Sequence, residues 1–171
     1  MQALPELATV ALRTGLAALA AAAAIHKLRD LGRSRRATRA LTGAEGLTAD
    51  VALGLAIGLE AGGVALSLSG AFGGRGLLLL AVVWLVYAGA LARQRAEDCG
   101  CGFGRRSPSH TYGIVRNVML AALALATAGW APPASGVELL FAAAPAALVF
   151  LLLYLAADEL GSHPRLARSR P

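Results

Sequence analysis

The chain is short of charge. Of its 171 residues only 15% are Asp, Glu, Lys or Arg, against 57% hydrophobic, and its mean hydropathy is +0.61. Soluble domains carry about a quarter charged residues, so this balance excludes an ordinary water-soluble globule and points to a bilayer. Aromatics are scarce as well, at 5%, which leaves no stacking platform for single-stranded nucleic acid. The net charge of +6 does not reopen that reading. The basic residues, all arginine except Lys27, cluster at the ends of apolar runs, as the positive-inside rule expects. Cysteine is nearly absent: Cys99 and Cys101 are the only two, and they share one polar turn between apolar segments. A chain of this length has room for one compact bundle and no separate soluble domain.

A spanning helix needs about 20 mostly apolar residues. Five stretches qualify, so the expected fold is an all-α polytopic membrane bundle. The first is Leu7 to Leu28, opened by Pro5 and carrying Arg13 inside. No basic residue precedes Arg13, whereas His26, Lys27, Arg29, Arg33, Arg35, Arg36 and Arg39 follow. That order is reversed for a secretory signal and suits an uncleaved anchor with its amino end outside. Residues 28–47 read as a basic connector with a short surface helix. The second span, Val51 to Ser69, repeats glycine at Gly54, Gly58 and Gly62, one per turn, with Glu60 on nearly the opposite side. Such a glycine face admits a neighbouring backbone, so this helix is expected at the centre with protein on both sides. Gly76 to Ala92 is the third span and Gly113 to Trp130 the fourth. Val137 to Ala157, with a kink at Pro145, is the fifth. From Asp158 a basic, disordered tail is expected.

Five spans put the 28–47 connector, the cysteine turn and the tail on one side, and those three regions hold nearly all the arginines. The expected topology in the inner or plasma membrane is therefore amino terminus out, with the cysteine turn and carboxyl terminus cytoplasmic.

The chemistry falls first to Cys99-Gly100-Cys101-Gly102-Phe103-Gly104. Glycines on both sides of Cys101 allow positive φ, which a one-residue spacer needs to bring two sulfurs together. A disulfide over so small a ring is strained, and strained bridges open readily. Arg105 and Arg106 favour the thiolate and Asp98 opposes them in part. A turn with two inert small residues is the bland competitor. A Cu(I) site with His110 as third ligand is another, although a dithiol is preferred and no metal is assigned. Glu60, a carboxyl inside the membrane, must be paired, protonated or wet. Its expected partners are Arg13 and Arg116, giving either a register-fixing ion pair or a proton relay tied to thiol oxidation or to a bound quinone. Arg116 snorkels to headgroups or joins that set, and Asn117 hydrogen-bonds across helices. Lys27 is an interfacial anchor, or faces inward near the cysteines.

Together these residues resemble the MauE family of methylamine-utilisation membrane proteins, within the broader MauE/DoxX group of redox-associated membrane proteins. The resemblance rests on Arg13, Lys27, Glu60, the Arg116-Asn117 pair and the cysteine turn. In the family that turn reads Cys-Gly-Cys-Phe-Gly; here Gly102 intervenes, which displaces Phe103. The resemblance implies a thiol redox pathway with a thioredoxin-like partner, serving maturation of exported proteins such as the disulfide-rich subunit of methylamine dehydrogenase. It assigns residues 1–131 to a MauE/DoxX-like domain of four spans, 132–157 to an additional helix and 158–171 to the tail.

The function expected is thiol–disulfide exchange at Cys99 and Cys101, with Glu60 and Arg116 in the catalytic set. Arg13, Lys27, Arg105, Arg106 and Asn117 support them, and a quinone is the one cofactor class considered. The alternatives are a non-catalytic assembly factor docking a redox partner, and a metal or small-solute transporter. The exported clients would lie opposite the expected side of the cysteines, so either electrons cross the membrane or the orientation is inverted.

Overall fold

The computed structural model describes residues 3–69, 72–94, 110–130 and 137–161. Among the described residues there are six α-helices and no strand: α1 (Ala3–Arg29), α2 (Leu31–Thr42), α3 (Gly46–Leu68), α4 (Gly73–Gln94), α5 (His110–Trp130) and α6 (Val137–Gly161). All but α2 contain a stretch long and apolar enough to cross a membrane. Lipid offers no partner to backbone N–H and C=O groups, so a helix, which satisfies its own, is the form such stretches take. The outer faces agree: Leu55, Val86 and Leu153 are each more than 60% exposed, as side chains bathed in hydrocarbon are. The protein is a multi-pass membrane protein surrounded by bilayer.

Helix α4 lies between α3 and α5, while α1 closes the bundle against α3 and α5, and α6 packs chiefly on α1. The core between them joins Leu16 and Leu19 of α1, Leu77, Leu80 and Trp84 of α4, and Leu120 of α5. Alanines 20, 81, 121 and 124 are buried among them; small side chains let backbones approach where packing, not water exclusion, drives association. On the far side of α1, Val10 and Ala11 meet Ala143 of α6.

The glycine face of α3 does not do what its spacing suggested. A Cβ placed on Gly54, Gly58 or Gly62 would meet nothing within 4 Å, so that stripe faces outward and α3 has protein on one side only. Close approach occurs instead at Gly63 and Gly76. A Cβ at Gly63 would stand 2.6 Å from Leu80 Cδ2, and one at Gly76 would collide with the backbone nitrogen of Ser67. Spacing every fourth residue identifies a face but not what covers it.

The connector folds into α2, whose start is capped by Asp30 accepting from the Arg33 N–H at 2.9 Å. Its end is Gly43 in the left-handed region (φ 67°), where its N–H reaches the Arg39 carbonyl at 2.8 Å. Ser34 and Leu41 point into the protein, and the Ser34 hydroxyl donates to the Lys27 carbonyl at 3.2 Å. Helix α2 thus lies across the end of the bundle where α1 stops and α3 begins. At the carboxyl end, α6 continues through Asp158 to Gly161, past the Ala157 limit expected for the fifth span.

Candidate functional site

Lys27 is one of three basic residues in the last turn of α1, yet it is 3% exposed and turned inward. Its Nζ lies 2.6 and 2.9 Å from the two oxygens of Glu60 on α3. Glu60 is itself 1% exposed, and its Oε1 accepts a third bond, 2.8 Å, from the Tyr87 hydroxyl on α4. The ammonium also sits 5.2 Å from the Tyr87 ring centroid, within cation–π range. Three helices therefore meet on one carboxylate. Charges held this far from water survive only if paired and hydrogen-bonded, and this cluster meets both conditions. Arg13 and Arg116, the partners expected for Glu60, do not fill that place. Lys27 reaches it because its four-carbon stem carries the charge inward from the helix end.

Arg13 is 1% exposed, but it lies fourteen residues before Lys27 on the same helix, about 21 Å along it. Its guanidinium packs over Gly73 at the start of α4, where a Cβ would come 2.6 Å from Nη1. It belongs to the opposite end of the bundle from α2.

Arg116 does not snorkel. It is buried, and its Nη1 donates to Asp158 Oδ1 of α6 at 2.6 Å. Asn117 is 1% exposed and its side chain donates to the Gly113 carbonyl one turn earlier, at 2.8 Å, so the bond stays within α5 instead of crossing to another helix. Even so, Glu60, Arg116 and Asn117 line one small cavity of about 10 Å³ with Trp84 and Tyr154. That is room for about one water. The fold thus brings Glu60 near Arg116 across a cavity while each keeps a different ion-pair partner.

Two members of these clusters were not singled out from the sequence. Tyr87 is one of three tyrosines, and a polar-tipped aromatic three residues from the middle of an apolar span was the available signal. Asp158, at the limit expected for the fifth span, carries one signal: it is the first acidic residue after a long apolar run.

Cys99, Cys101, Arg105 and Arg106 lie outside the described residues. The helices on either side of them are tied together, because His110 Nε2, at the start of α5, is 2.9 Å from the Leu91 carbonyl near the end of α4. The His110 proposed above as a metal ligand has this hydrogen bond. Among the described residues no group of three or more His, Cys, Asp or Glu stands ready for a metal.

The family model for methylamine utilisation protein MauE matches residues 5–131. The chain belongs to the MauE family. The matched stretch takes in α1 to α5 and with them Lys27, Glu60, Tyr87 and Arg116, whereas α6 and its Asp158 lie beyond it. No curated protein and no solved structure matches the chain. The family is described by its part in methylamine utilisation.

Proposed function

We propose that this MauE-family protein is a membrane thiol–disulfide redox protein whose working groups are Cys99 and Cys101. In each turnover the two thiols are oxidised to one disulfide and give up two electrons and two protons, or the reverse, by exchange with a thioredoxin-like partner. The observation that carries the reading is the position of the chain's only two cysteines. They are one glycine apart, in the segment joining α4 to α5, whose flanking helices are latched through His110 and Leu91. A short spacer and nearby Arg105 and Arg106 suit a reactive, easily opened pair. The service rendered is maturation of exported proteins, of the kind methylamine dehydrogenase represents.

The arginines of α2 and Arg93 at the end of α4 lie at the bundle end from which the cysteine segment departs. By the positive-inside rule this end is cytoplasmic and the amino terminus lies outside. Lys27, Glu60 and Tyr87 hold α1, α3 and α4 in register. Arg13 and the Arg116–Asn117 pair support the same frame, and residues 1–131 form the functional unit to which α6 is added.

Cys99→Ser and Cys101→Ser are each expected to abolish client disulfide formation in cells while the protein still accumulates in the membrane. Normal client oxidation in either variant refutes the mechanism. A membrane-impermeant maleimide applied to intact cells is expected to leave both thiols unlabelled until the membrane is opened; labelling beforehand inverts the topology. A second reading, a scaffold that docks a redox partner without exchanging electrons, is favoured by the outward Gly54-Gly58-Gly62 stripe. It predicts the opposite pattern, with both cysteines dispensable and Gly58→Leu disabling.

A further inference from the structure

A second cavity, of about 290 Å³, lies between α2, α3 and α4. Its walls are apolar, with Leu41 of α2, Leu53 and Ala56 of α3, and Val83 and Val86 of α4 among them. At its rim Leu55, Val82 and Val86 are all more than half exposed on the lipid-facing side, so whatever fills it enters from the bilayer and not from water. It is elongated: the lining runs along α4 from Leu79 to Ala90, eleven residues or about 16 Å. Among the described residues the only charged group on its wall is Lys27, joined there by Tyr87. Both are bonded to Glu60 behind them.

We infer that this groove binds an isoprenoid quinone, with the tail along α3 and α4 and the ring against Lys27 and Tyr87. The proposal rests on the thiol-redox reading for its use but not for its geometry. A long, narrow, lipid-open slot fits a membrane-dissolved tail, and a phospholipid acyl chain would suffice for that part alone. The Lys27 ammonium at that wall is the hydrogen-bond donor a quinone carbonyl recognises, while the Tyr87 hydroxyl gives its one hydrogen to Glu60 and its ring offers a flat stacking face. The quinone's carbonyl oxygens accept hydrogen bonds, and on reduction they must gain protons, which the Lys27–Glu60–Tyr87 set can carry. Fixed donors of this kind act strongly where water is excluded. Ala90, at the inner end of the groove, is one helical turn from Gln94, and Cys99 follows five residues later. The net step balances: two thiols and one quinone give one disulfide and one hydroquinone, two electrons and two protons passing from sulfur to the ring.

Trp84 lies on α4 between the groove residues Val83 and Tyr87, and the only other tryptophan is Trp130. In full-length protein carrying Trp130→Phe, decyl-ubiquinone is expected to quench Trp84 fluorescence saturably. Ala56→Phe, which fills the groove, should weaken that quenching at least tenfold, as should Val83→Phe. Gly58→Leu, on the open face of α3, should leave it unchanged. Folding of each variant is checked by its elution as a single species. Linear, non-saturable quenching overturns the proposal, as does equal binding in both groove-filled variants. Equal displacement of the probe by a fatty acid of matched tail length makes the groove a lipid-tail site and overturns it too. The Cys99→Ser/Cys101→Ser double variant is expected to bind the probe normally without reducing it. Stoichiometric hydroquinone formation by reduced wild-type protein with no saturable binding would leave the thiol reading standing and sink the site. Saturable binding with no reduction would do the converse.

Discussion

The buried ion pairs Lys27–Glu60 and Arg116–Asp158 have the same length, 2.6 Å, and they are built differently. Lys27–Glu60 joins α1 to α3, recruits the Tyr87 hydroxyl from α4, and borders a groove open to lipid. Arg116–Asp158 joins α5 to α6 and crosses the boundary of the MauE match, since Asp158 lies outside residues 5–131. The first ties three helices within the family's own stretch at one carboxylate. The second attaches a further helix to a bundle whose core is already closed by α1, α3, α4 and α5. Equal distances therefore carry unequal structural weight.

The largest effect separating them is expected from Glu60→Ala. It leaves the Lys27 ammonium buried without its counter-charge, a loss of about 3–5 kcal/mol, read as a collapse of the thermal unfolding midpoint in detergent. The double variant Lys27→Met/Glu60→Leu removes both charges and should recover most of that loss. Failure to recover would mean that the cluster is needed for more than charge balance. Asp158→Asn comes next, at about 1–3 kcal/mol. Arg116 lies in the second turn of α5, and its long side chain can turn toward the headgroups once Asp158 no longer holds it. Faster proteolysis of α6, with α1 to α5 still protected, is the expected readout. If Asp158→Asn unfolded the whole bundle as Glu60→Ala does, the distinction drawn between the pairs would fall.

Tyr87→Phe keeps the ring over Lys27 and removes one hydrogen bond to a charged acceptor, worth about 1.5–3 kcal/mol at most. A smaller loss of melting temperature than for Glu60→Ala, with the fold retained, is the expected result. Gly58→Ala, two residues from Glu60 but on the open face, should raise stability by no more than about 1 kcal/mol, the helix-propensity gain. A large loss there would show that a neighbour covers the stripe in the membrane.

Much of this was legible in the chain. Each of the five spans was visible as an apolar run, because lipid forces any such run into a helix that satisfies its own backbone. Lys27, Glu60, Arg13, Arg116 and Asn117 stood out as polar residues in or beside those runs, where each is costly enough to require an explanation. The pairing was not legible. Lys27 and Glu60 are 33 residues apart and Arg116 and Asp158 are 42, and nothing local to either residue names its partner.

By itself, then, the sequence determined that this chain lives in a membrane, how many times it can cross, and which polar residues must be satisfied inside. Those properties follow from the solvation of single segments and need no neighbours. Only the tertiary structure decided that Glu60 takes Lys27 and Tyr87 in place of two arginines. It also decided that Gly63 and Gly76, not the regular glycine stripe, make the close contacts, and that Asp158 lies within the last turns of a helix that runs on to Gly161. Each of these depends on the rotation and depth of one helix against another, a quantity set by the whole packed bundle.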